Sequence, residues 1–124
     1  MSFSTVWRDY NTQRDRRYGV IPKLLALCGG YLKDKQKELL AITETLERAS
    51  KLKEFGFALV GEQFESEKQL SKEIRALLVH CHYHHALLAK NAYTDIEHDL
   101  LDADAHMHAL QSLIVGYHRR RIKI

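Results

Sequence analysis

The residues best equipped for chemistry lie in the run His80-Cys81-His82-Tyr83-His84-His85. Placed on a helix, His80 and His84 share one face, as do Cys81 and His85, so each pair could form a two-ligand metal clip. A closed zinc site needs four ligands, and His98 and His106, which flank Asp102 at helical spacing, could supply the second pair. The Glu-x-x-His pairs of di-iron bundles are missing. The competing reading, histidines flanking an apolar seam and paired with nearby acids, is the stronger one, and no cofactor is expected. His98, His106 and His108 beside the acids 95–104 could also titrate together, although a solvated helix face accounts for the same pattern.

Nucleophilic chemistry finds no support. There is no Gly-x-Ser-x-Gly elbow, no P-loop and no Gly-rich dinucleotide turn. Cys28 and Cys81 both fall at apolar seam positions, which suits buried free thiols better than a disulfide. A reactive cysteine needs an exposed electropositive setting, and these positions do not offer one. The sequence therefore reads as a non-enzyme.

Charge is the other distinctive feature. The net charge of +3 conceals a strong segregation. Arg8, Arg14, Arg16 and Arg17 crowd the start, and Arg119, Arg120, Arg121 and Lys123 the end. Asp95, Glu97, Asp99, Asp102 and Asp104 lie between them without an intervening cation. Arg16, Arg17, Arg119, Arg120, Arg121 and Lys123 are the candidate contacts for an anionic lipid surface or a protein partner. Phosphate contact with nucleic acid would use similar side chains, but the tail lacks stacking aromatics beyond Tyr117 and no helix-turn-helix pattern is present.

Elements that would position these groups are helices. One Pro and six Gly in 124 residues leave little material for turns, and Val, Ile and Thr do not alternate as strands require. The length suits a single domain, residues 1–124. Apolar positions at Leu25, Cys28, Leu32, Leu39, Ile42, Leu46 and Ala49, interrupted only by Lys35, predict one long helix over 21–54. Gly29-Gly30 within it predicts either a close backbone neighbour or a bend. A second seam runs Leu70, Ile74, Leu77, Cys81, His84, Leu88, and a third runs Ile96, Leu100, Ala103, Met107, Leu110, Ile114, Tyr117. Ser66 and Thr94 read as capping-box starts for these helices. Gly56 and Gly61 read as stops, with the apolar residues around them capping the bundle end. Residues 4–18 form a shorter first helix, with a junction at Gly19 and Pro22. The expected architecture is all-α: an elongated antiparallel bundle of three long helices plus a short or kinked N-terminal one. A helix apolar on a second side would favour a homo-oligomer.

The first block also carries a resemblance. Trp7, Gln13, Arg16-Arg17, Tyr18, Ile21, Pro22, Leu24, Gly30-Tyr31 and Leu39 to Thr43 resemble the signature of the LemA family, bacterial helical proteins usually tethered to a membrane. A weaker second block comprises Ala89, Asn91, Tyr93, Ile96, Leu100 and Gly116-Tyr117. The chain departs from the pattern at Lys23, at Asp34-Lys35 and at His118, where the family usually has Asn, His-Glu and Asn. The resemblance implies a non-enzymatic helical scaffold of the bacterial cell envelope, acting on a protein partner or an anionic membrane. It implies no catalytic residue. The family's N-terminal anchor has no counterpart: no run approaches the roughly 20 apolar residues a spanning helix needs, and residues 1–11 do not form a signal peptide. As given, the chain reads as soluble.

Overall fold

The computed structural model describes residues 2–122, with the side chains of 118 and 120–122 outside it. Among the described residues all regular structure is helical. Helix α1 spans Phe3–Tyr31, α2 Gln36–Lys53, α3 Val60–His82, the single-turn α4 His85–Leu88, and α5 Asn91–Ile122. Four helices are therefore long, and the expected 21–54 helix is two.

Helix α1 begins where Ser2 caps it, its Oγ accepting the backbone N–H of Thr5 at 3.3 Å. It then passes through Pro22 without stopping. An interior proline costs about 3 kcal/mol. Pro22 itself faces solvent, while Arg14, Arg17, Ile21, Leu24 and Cys28 continue one buried stripe across it. Burial on both sides of the proline holds the helix together, so the expected short first helix merges with the second.

The break falls instead after Gly29-Gly30. Nothing lies within 4 Å of where a Cβ would project from either glycine, so close approach is not their reason. They weaken the last turn, and the exposed Lys33-Asp34 that follows has no stripe to bury. The Leu32 N–H closes α1 on the Cys28 carbonyl at 2.8 Å, and a 3₁₀ turn at Lys33–Lys35 leads into α2. The seam survives the break: Cys28, Leu32, Leu39, Ile42 and Ala49 are all buried.

Gly56, at φ +60°, stops α2 in the left-handed region that glycine adopts most readily. Gly61 lies inside α3 rather than ending a helix. Ser66 likewise sits buried in the middle of α3, and Thr94 sits within α5, its hydroxyl donating to the Lys90 carbonyl. Neither caps a helix. Helix α3 stops at His82, earlier than expected, and a bend at Tyr83-His84 leads into α4.

Helices α1 and α5 form one closely packed antiparallel pair: Phe3 meets Tyr117 at one end and Arg16 meets Asp99 further along. Helices α2 and α3 form the other close pair. The apolar interior falls into two clusters. The larger gathers Ile21, Leu24, Cys28, Ile42, Leu70 and Leu77 among others. The smaller gathers Val6, Tyr10, Met107 and Ile114, closed over by Phe3, Trp7, Phe57 and Phe64. Phe57 stands edge-on to Phe3 at 4.9 Å and to Trp7 at 5.3 Å. The loop after α2 thus caps that end, as expected from its apolar residues.

Candidate functional site: an ionic layer and the groove above it

Between the two apolar clusters lies a polar layer built on Arg14 and Arg17. Their positions continue the α1 stripe, which steps Val6, Tyr10, Arg14, Arg17, Ile21, Leu24, Cys28. Helical period therefore drives both guanidiniums inward, and each is essentially unexposed, at 0% and 1%. A buried cation is costly unless paired and hydrogen-bonded.

Arg17 is paired twice. Its Nη2 donates to the Glu67 carboxylate at 2.6 Å and to the Glu67 carbonyl at 3.0 Å, while Nη1 reaches Asp104 at 3.2 Å and Ser71. Ser71 donates in turn to Asp104 at 2.7 Å, and Arg75 covers Asp104 from the solvent side. The Tyr18 hydroxyl donates to the second Glu67 oxygen. Burial and the adjacent Glu67 carboxylate push the Tyr18 phenol well above its usual range. One guanidinium thus joins α1, α3 and α5.

Arg14 has neutral partners. It donates to Gln63 Oε1 at 2.7 Å and to Asn11, and its guanidinium carbon lies 5.3 Å from the Tyr10 ring centroid and 5.7 Å from that of Trp7. The Gln63 amide then donates to the carbonyls of Gly56 at 2.6 Å and Ala58 at 3.0 Å. The turn after α2 is thereby tied to the interior layer.

Arg16, one residue away, is a third exposed and chelates Asp99 at 2.9 Å and Asp102 at 2.6 Å. The basic start of the chain and the acidic stretch of α5 therefore neutralise each other. The Arg16 guanidinium beside Asp102 holds that carboxyl below the usual carboxylate range. A carboxyl whose folded-state pKa is depressed adds stability that is present above its unfolded pKa and lost as pH falls through the folded one. The Asp102 carboxyl resonance is expected to titrate below the ordinary aspartate midpoint by NMR. Arg16→Gln should raise it toward that midpoint; equal midpoints in both proteins would refute the pairing.

Of the sequence-selected contacts, Arg17 is interior and has no surface to offer lipid or partner. Arg16 is committed to two aspartates, and Arg119 is exposed. The side chains of Arg120 and Arg121, and all of Lys123, lie outside the described residues.

The two-ligand clip that helical spacing allowed for His80 and His84 is not the arrangement of these residues. Because α3 ends at His82, His84 leaves the helical face of His80 and instead packs edge-on to Tyr31 at 5.3 Å. His98 and His106 stand eight residues apart on α5, about 12 Å along its axis. His106 Nδ1 lies 2.9 Å from the Asp102 carbonyl. Among the described residues no group of three or more His, Cys, Asp or Glu is placed to hold a metal ion.

Sequence reading placed Arg14 only in the basic start of the chain and passed over Gln63, Glu67 and Ser71. The stripe from Cys28 back to Val6 was the available signal, provided charged residues were allowed to occupy it. Above the layer, α3 and α5 part into a groove. A recess of about 430 Å³ is walled by Leu78, Val79, Tyr83 and Leu101, with Arg75 and the His82–Glu97 pair also lining it. Among the described residues, Val79, Tyr83 and Leu101 are exposed large apolar side chains.

Comparison with family models, with curated proteins and with solved structures finds no match to this chain. Among the described residues, no helix is long and apolar enough to cross a membrane.

Proposed function

We propose that this chain is a LemA-like helical scaffold of the bacterial cell envelope, working by adhesion to a protein partner or an anionic lipid surface rather than by catalysis. The observation that carries the reading is the use made of the signature block. Its Arg17, Tyr18, Ile21 and Leu24 lie along α1 and serve the interior, binding α3 and α5 to it. A motif spent on architecture suits a protein whose business is to hold a surface in shape. The reading keeps the elongated antiparallel bundle as its architecture, with four long helices in place of three and a short N-terminal one.

Pairing of Arg16 and Arg17 with α5 acids moves the lipid-contacting role to the C-terminal cations, where the sequence has no acid after Asp104. The same pairing weakens the nucleic-acid alternative, which drew on both basic ends. Titration with vesicles of anionic and of zwitterionic phospholipid tests the lipid branch. Binding should require the anionic lipid and fade with salt. At about 1 kcal/mol per basic residue, replacing Arg119, Arg120 and Arg121 by Gln should weaken it on the order of a hundredfold. Absence of salt-sensitive binding removes that branch and leaves the protein partner. Salt-sensitive retardation of DNA or RNA in a gel, with no vesicle binding, would favour the alternative.

A further inference from the structure

We infer that Cys28 and Cys81 are a redox pair that closes reversibly into an intrachain disulfide, stapling α1 to α3 through the core. Their sulfurs lie 3.5 Å apart, across 53 residues of sequence, and both thiols are free and completely buried. A disulfide needs about 2.05 Å between sulfurs, so the gap to close is about 1.5 Å, within reach of small side-chain rotations.

The surroundings of Cys81 set it apart from an inert core thiol. The Tyr93 hydroxyl, in the same apolar cluster as Cys81, donates to the Glu97 carboxylate, and Glu97 in turn meets His82 Nε2 at 2.7 Å. His82 is more than half exposed and lines the groove between α3 and α5, so this polar relay runs from the cluster that holds Cys81 to solvent. The hydrogen bond from Cys28 holds the Cys81 thiol below its usual range, whereas that same contact and burial push Cys28 up. Helix α3 ends one residue beyond Cys81, and only the four-residue α4 separates it from α5, so local opening there suffices to admit a small oxidant.

With hydrogen peroxide as oxidant, the Cys81 thiolate attacks one peroxide oxygen and the O–O bond breaks. The departing hydroxide takes up the proton that the thiol released, giving a sulfenic acid and water. The Cys28 sulfur then attacks the sulfenic sulfur, the S–O bond breaks and a second water leaves with the Cys28 proton. Two thiols are oxidised by two electrons, one peroxide is reduced, and two waters result. A dithiol reductant reverses the bond by exchange.

The test is to treat the intact chain with hydrogen peroxide, unfold it, alkylate it and weigh it. The proposal expects both thiols to be lost to alkylation, a mass lower by two hydrogens, a monomer, and restoration by dithiothreitol. The closed loop should also raise Tm by on the order of 10 °C. In Cys28→Ala the remaining Cys81 should stop at the sulfenic or higher acids, with no internal bond. Thiols that both remain alkylatable after peroxide, or oxidation ending only in intermolecular dimers or sulfinic acids, would overturn it.

Discussion

Replacing Arg17 by methionine is expected to cost about 3–5 kcal/mol of stability, the usual consequence of removing one partner from a buried ion pair. Methionine fills much of the volume, so the loss is electrostatic. Glu67, 3% exposed, keeps only the Tyr18 hydroxyl against its buried negative charge. Asp104 suffers less, because it is partly exposed and retains Arg75 and Ser71. Urea unfolding followed by helical circular dichroism measures the loss as a fall in midpoint. Adding Glu67→Leu to Arg17→Met should recover most of it, since a matched apolar pair carries no desolvation penalty. An unchanged midpoint in the single variant would mean that Arg17 is solvated and that the layer does not exist.

The second large effect is expected at Gln63, replaced by leucine. This change leaves the buried Arg14 guanidinium without its 2.7 Å acceptor and strips two carbonyls of the turn after α2 of their donor. A hydrogen bond to a charged group contributes about 1.5–3 kcal/mol, and orphaning a buried donor adds to its loss. A total of about 2–3 kcal/mol is expected from the urea midpoint. Gln63→Glu separates the two roles: it preserves an acceptor for Arg14 but cannot donate to Gly56 and Ala58. In that variant, amide exchange in the 54–59 turn should quicken while global stability holds. Equal loss in both variants would show that the turn, and not Arg14, depends on Gln63.

These effects stem from a feature that charge reading in one dimension misplaces. Arg14 and Arg17 look like part of a basic lead-in, and the acids 95–104 look like a solvated face. Helical period puts the two arginines inward, and the antiparallel pairing of α1 with α5 brings Arg16 and Arg17 opposite Asp99, Asp102 and Asp104. Glu67 and Gln63 enter from α3, some 50 residues away, with nothing local to announce them. The helical spacing that would place His80 and His84 on one face does not apply, for a different reason: the helix stops at His82.

By itself the sequence determined the all-helical class, the inward stripes around Leu39, Leu70 and Leu100, and the burial of both cysteines. Those features follow from 3.6-residue periodicity, which is local and survives a misplaced boundary. Where the helices break, and which charges meet, were decided only by tertiary structure. Pro22 stays helical because the stripe on both sides of it is buried, whereas Gly29-Gly30 precedes a polar stretch with nothing to bury and the chain turns. Ion-pair partners distant in sequence are selected by packing geometry, since charge in solution is indifferent to which opposite charge it meets.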